Sequence, residues 1–263
     1  WYINARKDEG LRPQHLDHQH DPYLRHMIEI YARYEAYCQR AGLVDFAELL
    51  LRSHELWLQH PQLLQHYQHR FRHILVDEFQ DTNTIQYAWL RMLAGHSACM
   101  FAVGDDDQSI YGWRGARVEN IHQFSKDFAN TAIFRLEQNY RSTGNILNAA
   151  NGLIAHNADR LGKNLWTAGS DGELIRVYSA FNEQDEAQFI VDQVSDWVDK
   201  GGLRSECAVL YRSNAQSRVL EEALIRFGMP YRVYGGLRFF ERQEIKDALA
   251  YLRLINNRSD DAS

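Results

Sequence analysis

The chain has 263 residues, with 29 Lys plus Arg against 35 Asp plus Glu, for a formal charge of −6. An apolar share of 45% can build a core, which excludes a disordered chain, and the length allows one large domain or two smaller ones. No apolar run reaches the roughly 18 residues of a membrane span, the opening is too polar for a signal peptide, and the acidic balance argues against a generally basic nucleic-acid coat while leaving room for a local basic groove.

Residues 1–71 read as helical and polar. Asp21 and Pro22 form a helix start, an acid cap before a first-turn proline. Tyr23, Met27, Ile30, Tyr31, Tyr34 and Cys38 follow at helical spacing, and Ala41–Gly42 ends that helix. Asp45 and Glu48 resemble a capping box for a second helix through Phe46, Leu49, Leu50 and Trp57. A third helix is expected near Pro61.

The pattern then changes. His73 to Asp77 is a short apolar run ending in acids, as expected of a buried parallel strand. A helix through Ile85, Trp89, Leu90 and Leu93 follows, then a second strand over Ala98–Val103 and a third over Thr131–Leu136. Further strands are expected at Leu174–Tyr178, Cys207–Tyr211 and Tyr231–Tyr234. Helices are expected around Ile146–Leu153, Phe189–Trp197, Ala215–Phe227 and Glu241–Leu254. Strands alternating with helices predict an α/β fold with a parallel sheet. Cys38, Cys99 and Cys207 are odd in number and far apart, so they predict reduced, buried thiols in a cytosolic protein.

Several strand ends carry chemistry. The first strand delivers Asp77 and Glu78 at its C-terminal end, where open parallel sheets bind ligands. One carboxylate there can hold Mg²⁺ on a nucleotide, and the next can position or deprotonate water. An acidic loop after a core strand would look the same. The second strand runs into Gly104, Asp105, Asp106, Asp107, Gln108, Ser109, Ile110, Tyr111, Gly112, Trp113 and Arg114. Gln108 could sense a phosphate oxygen. Two aromatics beside an arginine on a glycine-rich loop suit stacking on unpaired bases, and they make poor core formers. The run Leu136–Thr143 holds Tyr140, which could stack on a purine, and Arg141, which could reach a γ-phosphate. A surface Tyr and Arg beside a helix cap at Ser142 or Thr143 is the plainer alternative. Arg212 and Asn214 stand at another strand end. Gly235–Gly236 followed by Phe239 and Phe240 reads as a glycine hinge with ordinary core packing. His66, His69 and His73 share a face but lack the further ligands of a zinc site.

In this order the segments DEFQDTN, VGDDDQSIYGWRGA, LEQNYRS, VLYRSN and GGLRFFERQEIKDALAYLR resemble the UvrD/Rep/PcrA group of superfamily 1A DNA helicases, over essentially the whole chain. WYINARKDEGLRP and AGLVDFAELLLR are most similar to its bacterial UvrD branch. The resemblance implies RecA-like P-loop NTPase lobes with parallel sheets, both incomplete here, plus a helical accessory subdomain. It implies ATP-driven 3′→5′ translocation on single-stranded DNA and unwinding at single-strand/duplex junctions, in DNA repair and replication, with ATP and Mg²⁺ as cofactors and DNA-repair proteins as further partners. Asp77 would ligate Mg²⁺ and Glu78 would activate the attacking water. Gln108 would couple the γ-phosphate to the DNA site. Gln80 and Tyr140 would touch the nucleotide, with Tyr140 stacked on adenine, and Arg141 would contact the γ-phosphate. Tyr111, Trp113, Arg114, Arg212 and Asn214 would grip the strand.

One departure matters. The family cradles phosphates with GxxxxGK followed by Ser or Thr, and the chain contains no such run; its single Gly-Lys pair, Gly162–Lys163, precedes Asn164. The expectation is an internal portion of a longer helicase, covering a helical 1B part (1–71), the rest of lobe 1A (72–137), the first part of lobe 2A (138–234) and the start of a 2B insertion (235–263). The 263 residues alone are then expected neither to hydrolyse ATP nor to unwind DNA. The rival expectations are a non-catalytic single-strand-binding or regulatory protein on a helicase scaffold, which has no need of Asp77, Glu78 and Gln80, or the helicase subunit of a recombination nuclease.

Overall fold

A computed structural model describes residues 1–96, 98–158, 160–234 and 243–256. The chain divides into two compact units, Trp1–Leu174 and Ile175 onwards.

The first unit begins with helices α1 (Tyr2–Asp8), α2 (Pro22–Ala41), α3 (Phe46–Gln59) and α4 (Pro61–Arg70). Their ends follow local chemistry. The Asp21 carboxylate accepts from the Tyr23 amide at 2.8 Å with Pro22 in the first turn, and Gly42 at φ 65° closes α2 in a left-handed turn. Asp45 caps α3 by accepting from the Glu48 amide at 2.7 Å. The reciprocal half of the expected box is not made, because Glu48 turns its own side chain inward onto Arg12 and Lys7.

Strand β1 (His73–Val76) follows, then helix α5 (Thr84–Ala94) and strand β2 (Cys99–Ala102). The strands pair in parallel, His73 opposite Cys99 through Val76 opposite Ala102. Helices α6 (Glu119–Asp127) and α7 (Gly144–Ile154) complete the unit's regular structure among the described residues. Its core gathers Trp57 of α3, Ile74 of β1, and Leu93 and Ala94 of α5, with Tyr67, Trp89 and Met100 against them. Trp57 and Trp89 stack at 4.7 Å. The core thus fixes the β1–α5 connection, where the paired acids lie.

The second unit contains α8 (Glu183–Asp199), α9 (Asn214–Arg226) and α10 (Gln243–Asn256). Ala187 and Val191 of α8 pack on Ala223 of α9, and the Tyr178 ring stacks on Phe189 at 3.9 Å.

The fold class is α/β with a parallel sheet, as expected, but helix dominates. The strands expected at Thr131–Leu136, Leu174–Tyr178, Cys207–Tyr211 and Tyr231–Tyr234 are unpaired chain among the described residues. One isolated bridge, Gln138 with Trp166, lies just past the first of them. The reason is that an apolar run states only that side chains favour cover. A strand also needs a neighbour for its backbone N–H and C=O groups, and among the described residues only β1 and β2 supply one to each other. Val177 is accordingly 93% exposed. The glycine hinge at Gly235–Gly236, with Phe239 and Phe240, lies outside the described residues.

Candidate functional site

At the end of β1 the chain turns sharply. Asp77 accepts from the Glu78 amide at 2.9 Å, and Glu78 adopts φ 49°, a left-handed conformation that costs a non-glycine residue about 1–3 kcal/mol. A short 3-10 turn, Phe79–Asp81, follows. Phe79 and Gln80 face inward, so Asp77 and Glu78 remain exposed at the C-terminal edge of the sheet. Asn83 and Gln86 cap α5 reciprocally, each side chain accepting from the other's amide at 2.9 Å.

Gln80 is 1% exposed and connects two segments. Its Nε2 donates to Glu78 Oε2 at 2.8 Å, and its Oε1 accepts from the Asp105 amide at 2.9 Å. Gly104 makes this approach possible, since a Cβ there would lie 2.9 Å from Gln80 Oε1. The resemblance implies that Gln80 touches the nucleotide; in the structure its side chain supports that of Glu78. After β2, Asp105 Oδ2 accepts from Gln108 Nε2 at 2.7 Å. Burial opposes the charge on Asp105, but the Lys163 ammonium and the Gln108 amide hold its carboxyl below the usual range. Asp77, Glu78, Gln80 and Gln108 are therefore brought together in one unit.

Tyr111, Trp113 and Arg114 form an exposed cluster on the same loop. The Arg114 guanidinium lies 5.2 Å from the Tyr111 ring and 4.7 Å from the Trp113 ring, and Trp113 is 60% exposed. Trp1 stacks beside Trp113 at 6.5 Å. Two aromatic faces and a cation in the open suit unpaired bases and a phosphate.

Tyr140 is 86% exposed, with its hydroxyl donating to Gln138 at 2.9 Å, and Arg141 is exposed beside it. Their turn is set by Asn139, whose Oδ1 accepts from the Arg141 and Ser142 amides. Thr143 stands at the start of α7 with no side-chain capping bond. Arg212 and Asn214 belong to the second unit, both exposed at the start of α9. There Gln216 Oε1 accepts from the Arg212 amide at 2.9 Å and the Ser213 amide at 3.0 Å.

Sequence reasoning missed two charged groups. Arg160 and Lys163 reach the aspartates after β2; a pair of cations opposite a triple-Asp run is a signal, but the sequence separation of 53 from Asp107 to Arg160 hides it. The second group lies among the N-terminal helices. Arg12 is held by Glu48 at 2.9 Å through two bonds, by Glu55 and by Glu35, while Lys7 meets Asp45 and Glu48 at 2.8 Å. Burial opposes the charge on Glu48, but Arg12 and Lys7 prevail and lower its carboxyl to about 2. A cavity of about 320 Å³ borders this cluster. No described helix is long and apolar enough to cross a membrane.

The UvrD/REP helicase N-terminal domain family matches residues 1–129, and the UvrD-like helicase C-terminal domain family matches residues 134–263. DNA helicase II of Escherichia coli (strain K12) is 65% identical over all 263 residues, and that of Haemophilus influenzae is 66% identical. ATP-dependent DNA helicase PcrA of Staphylococcus epidermidis is 44% identical over 262 residues. The chain spans 36% of the length of each of these relatives.

Proposed function

The chain belongs to the UvrD/REP helicase family, and from that premise we propose that its residues serve an ATP-dependent 3′→5′ DNA helicase working on single-stranded DNA and its duplex junctions in the cytoplasm. The observation that carries this reading is the Gln80 side chain, which joins the strand-end acids to the Gln108 loop. The two segments a motor must couple, one for the nucleotide and one leading to the aromatic cluster, meet at one buried amide.

The residues fit a metal-bound nucleotide. Asp77 offers an exposed carboxylate at the C-terminal end of a parallel strand, the place and donor type for a hard cation, and would hold Mg²⁺. ATP with Mg²⁺ supplies the γ-phosphoryl group whose transfer to water drives the motor. Glu78 is turned out of the strand by its left-handed backbone and steadied by Gln80, as suits a base that orients and deprotonates water. Gln108 links Asp105 to the loop that ends in Tyr111, Trp113 and Arg114, so a shift at the phosphate end has a direct covalent route to the DNA-gripping rings. Tyr140 and Arg141 serve the nucleotide, and Arg212 and Asn214 serve the strand. The divisions at residues 72, 138 and 235, as parts of subdomains 1B, 1A, 2A and 2B, belong to the same proposal.

The test uses a full-length helicase that contains this chain. ATP hydrolysis stimulated by a single-stranded oligonucleotide, with unwinding of a 3′-tailed but not a 5′-tailed duplex, is the expected result. Strand binding without stimulated hydrolysis would favour the non-catalytic alternative.

A further inference from the structure

The three aspartates after β2 are engaged by a distant segment of the same unit. Asp107 receives both Nε and Nη2 of Arg160, each at 2.6 Å. Asp106 accepts from the Leu161 amide at 2.7 Å, and Asp105 pairs with the Lys163 ammonium. Arg160 also donates to the Lys163 carbonyl at 3.1 Å, which fixes the turn that presents both cations. The Arg160 and Asp107 side chains are only 17% and 12% exposed. A two-bond pair so covered is worth more than a solvated surface pair and fixes orientation as well as distance.

The segment continues to Trp166. The Trp166 amide donates to the Glu137 carbonyl at 3.1 Å, and the Asn139 amide donates back to the Trp166 carbonyl at 2.7 Å. Asn139 in turn holds the Arg141 amide at 2.9 Å. One end of residues 160–166 is therefore bonded into the aspartate turn beside Gln108, and the other into the turn that bears Tyr140 and Arg141. Asp105 is shared, because its carboxylate binds both Lys163 and Gln108 while its amide donates to Gln80.

We propose that residues 160–166 are a tie between these two turns, and that Arg160 and Lys163 are positioning residues for Gln108. The inference rests on the functional reading above and adds to it a part that sets coupling rather than chemistry. Gln108 cannot leave Asp105 without altering the partner of Lys163. The aspartate turn cannot move away from the Tyr140–Arg141 turn without breaking the Arg160–Asp107 pair.

In a full-length helicase containing this chain, steady-state ATP hydrolysis is measured with and without a single-stranded oligonucleotide. Arg160→Ala is expected to lower the DNA-stimulated kcat roughly 10- to 100-fold, the scale of a misplaced active group. The KM for ATP and the DNA-free rate are expected to change less than about threefold. Arg160→Lys recovers only part of the loss, because an ammonium cannot make two parallel bonds to Asp107. Lys163→Met, which keeps the stem and removes the charge, gives the same split and serves if Arg160→Ala does not fold. An unchanged DNA-stimulated kcat overturns the tie. So does an equal fall in the DNA-free and DNA-stimulated rates, which marks a purely structural role. A wild-type enzyme with no DNA-stimulated hydrolysis overturns the functional reading instead.

Discussion

Gln80 donates from Nε2 to the Glu78 carboxylate at 2.8 Å, from a position that is 1% exposed. A buried amide with both ends engaged is costly to remove. Gln80→Leu leaves the Asp105 amide and one Glu78 oxygen without that partner, and is expected to destabilise the first unit by about 1–3 kcal/mol. Urea denaturation followed by Trp fluorescence measures this, and a change under a few tenths of a kcal/mol would show that the bridge carries no stability.

Glu78→Gln keeps the size of the side chain and removes its basicity. In a full-length helicase containing this chain, turnover is expected to fall roughly 10²- to 10⁴-fold while nucleotide affinity stays near wild type. Fluorescent-nucleotide titration beside a phosphate-release assay separates the two. Loss of both in parallel would remove Glu78 from the role of base.

Trp113→Ala removes the more exposed ring of the pair that Arg114 covers. Single-strand affinity is expected to weaken by about 1–3 kcal/mol, with little dependence on base sequence. Anisotropy titration with homopolymer oligonucleotides of different bases reads this, and unchanged affinity would sink the stacking role.

The Arg12–Glu48 cluster gives the chain a dependence on acid. Glu48 titrates at about 2 when folded and near 4.5 in the ordinary state. A lowered carboxyl adds stability that is full above about pH 4.5 and is lost as pH falls toward 2. Thermal melts across that window are expected to show a falling Tm for the first unit. Arg12→Ala leaves Glu48 buried with less compensation and is expected to cost about 3–5 kcal/mol at neutral pH. It should also flatten the acid transition; a melt profile identical to wild type would show that the cluster is not what titrates.

Much of the local structure was legible from short-range signals. Asp21–Pro22, Asp45 and Pro61 mark helix starts where the structure has them, and the apolar runs ending at Asp77 and Gly104 are the two paired strands. Glu48 misled because a capping-box pattern looks three residues away, whereas its partners Lys7 and Arg12 are 41 and 36 residues distant. The strand at Thr131–Leu136 misled because pairing is a property of two segments and apolarity of one. The proposed site residues Asp77, Glu78 and Gln108 are visible as motif positions, but the Gln80 bridge from Glu78 to the Asp105 amide is not. Gln80 reads as one polar letter in DEFQ, and only folding shows that it is buried between the acids and the next loop. Arg160 and Lys163 lie in a run with no pattern of its own.

The two-stranded sheet has a practical consequence. Each of β1 and β2 has one row of backbone groups facing its partner, and among the described residues neither has a second neighbour. Leu75 and Phe101, opposite each other in the ladder, are also exposed. Bare strand edges beside apolar side chains are templates for pairing with a neighbouring molecule. Purified at high concentration, this chain is expected to self-associate through that sheet, and Leu75→Lys with Phe101→Lys is expected to keep it dispersed, as light scattering of the two would show.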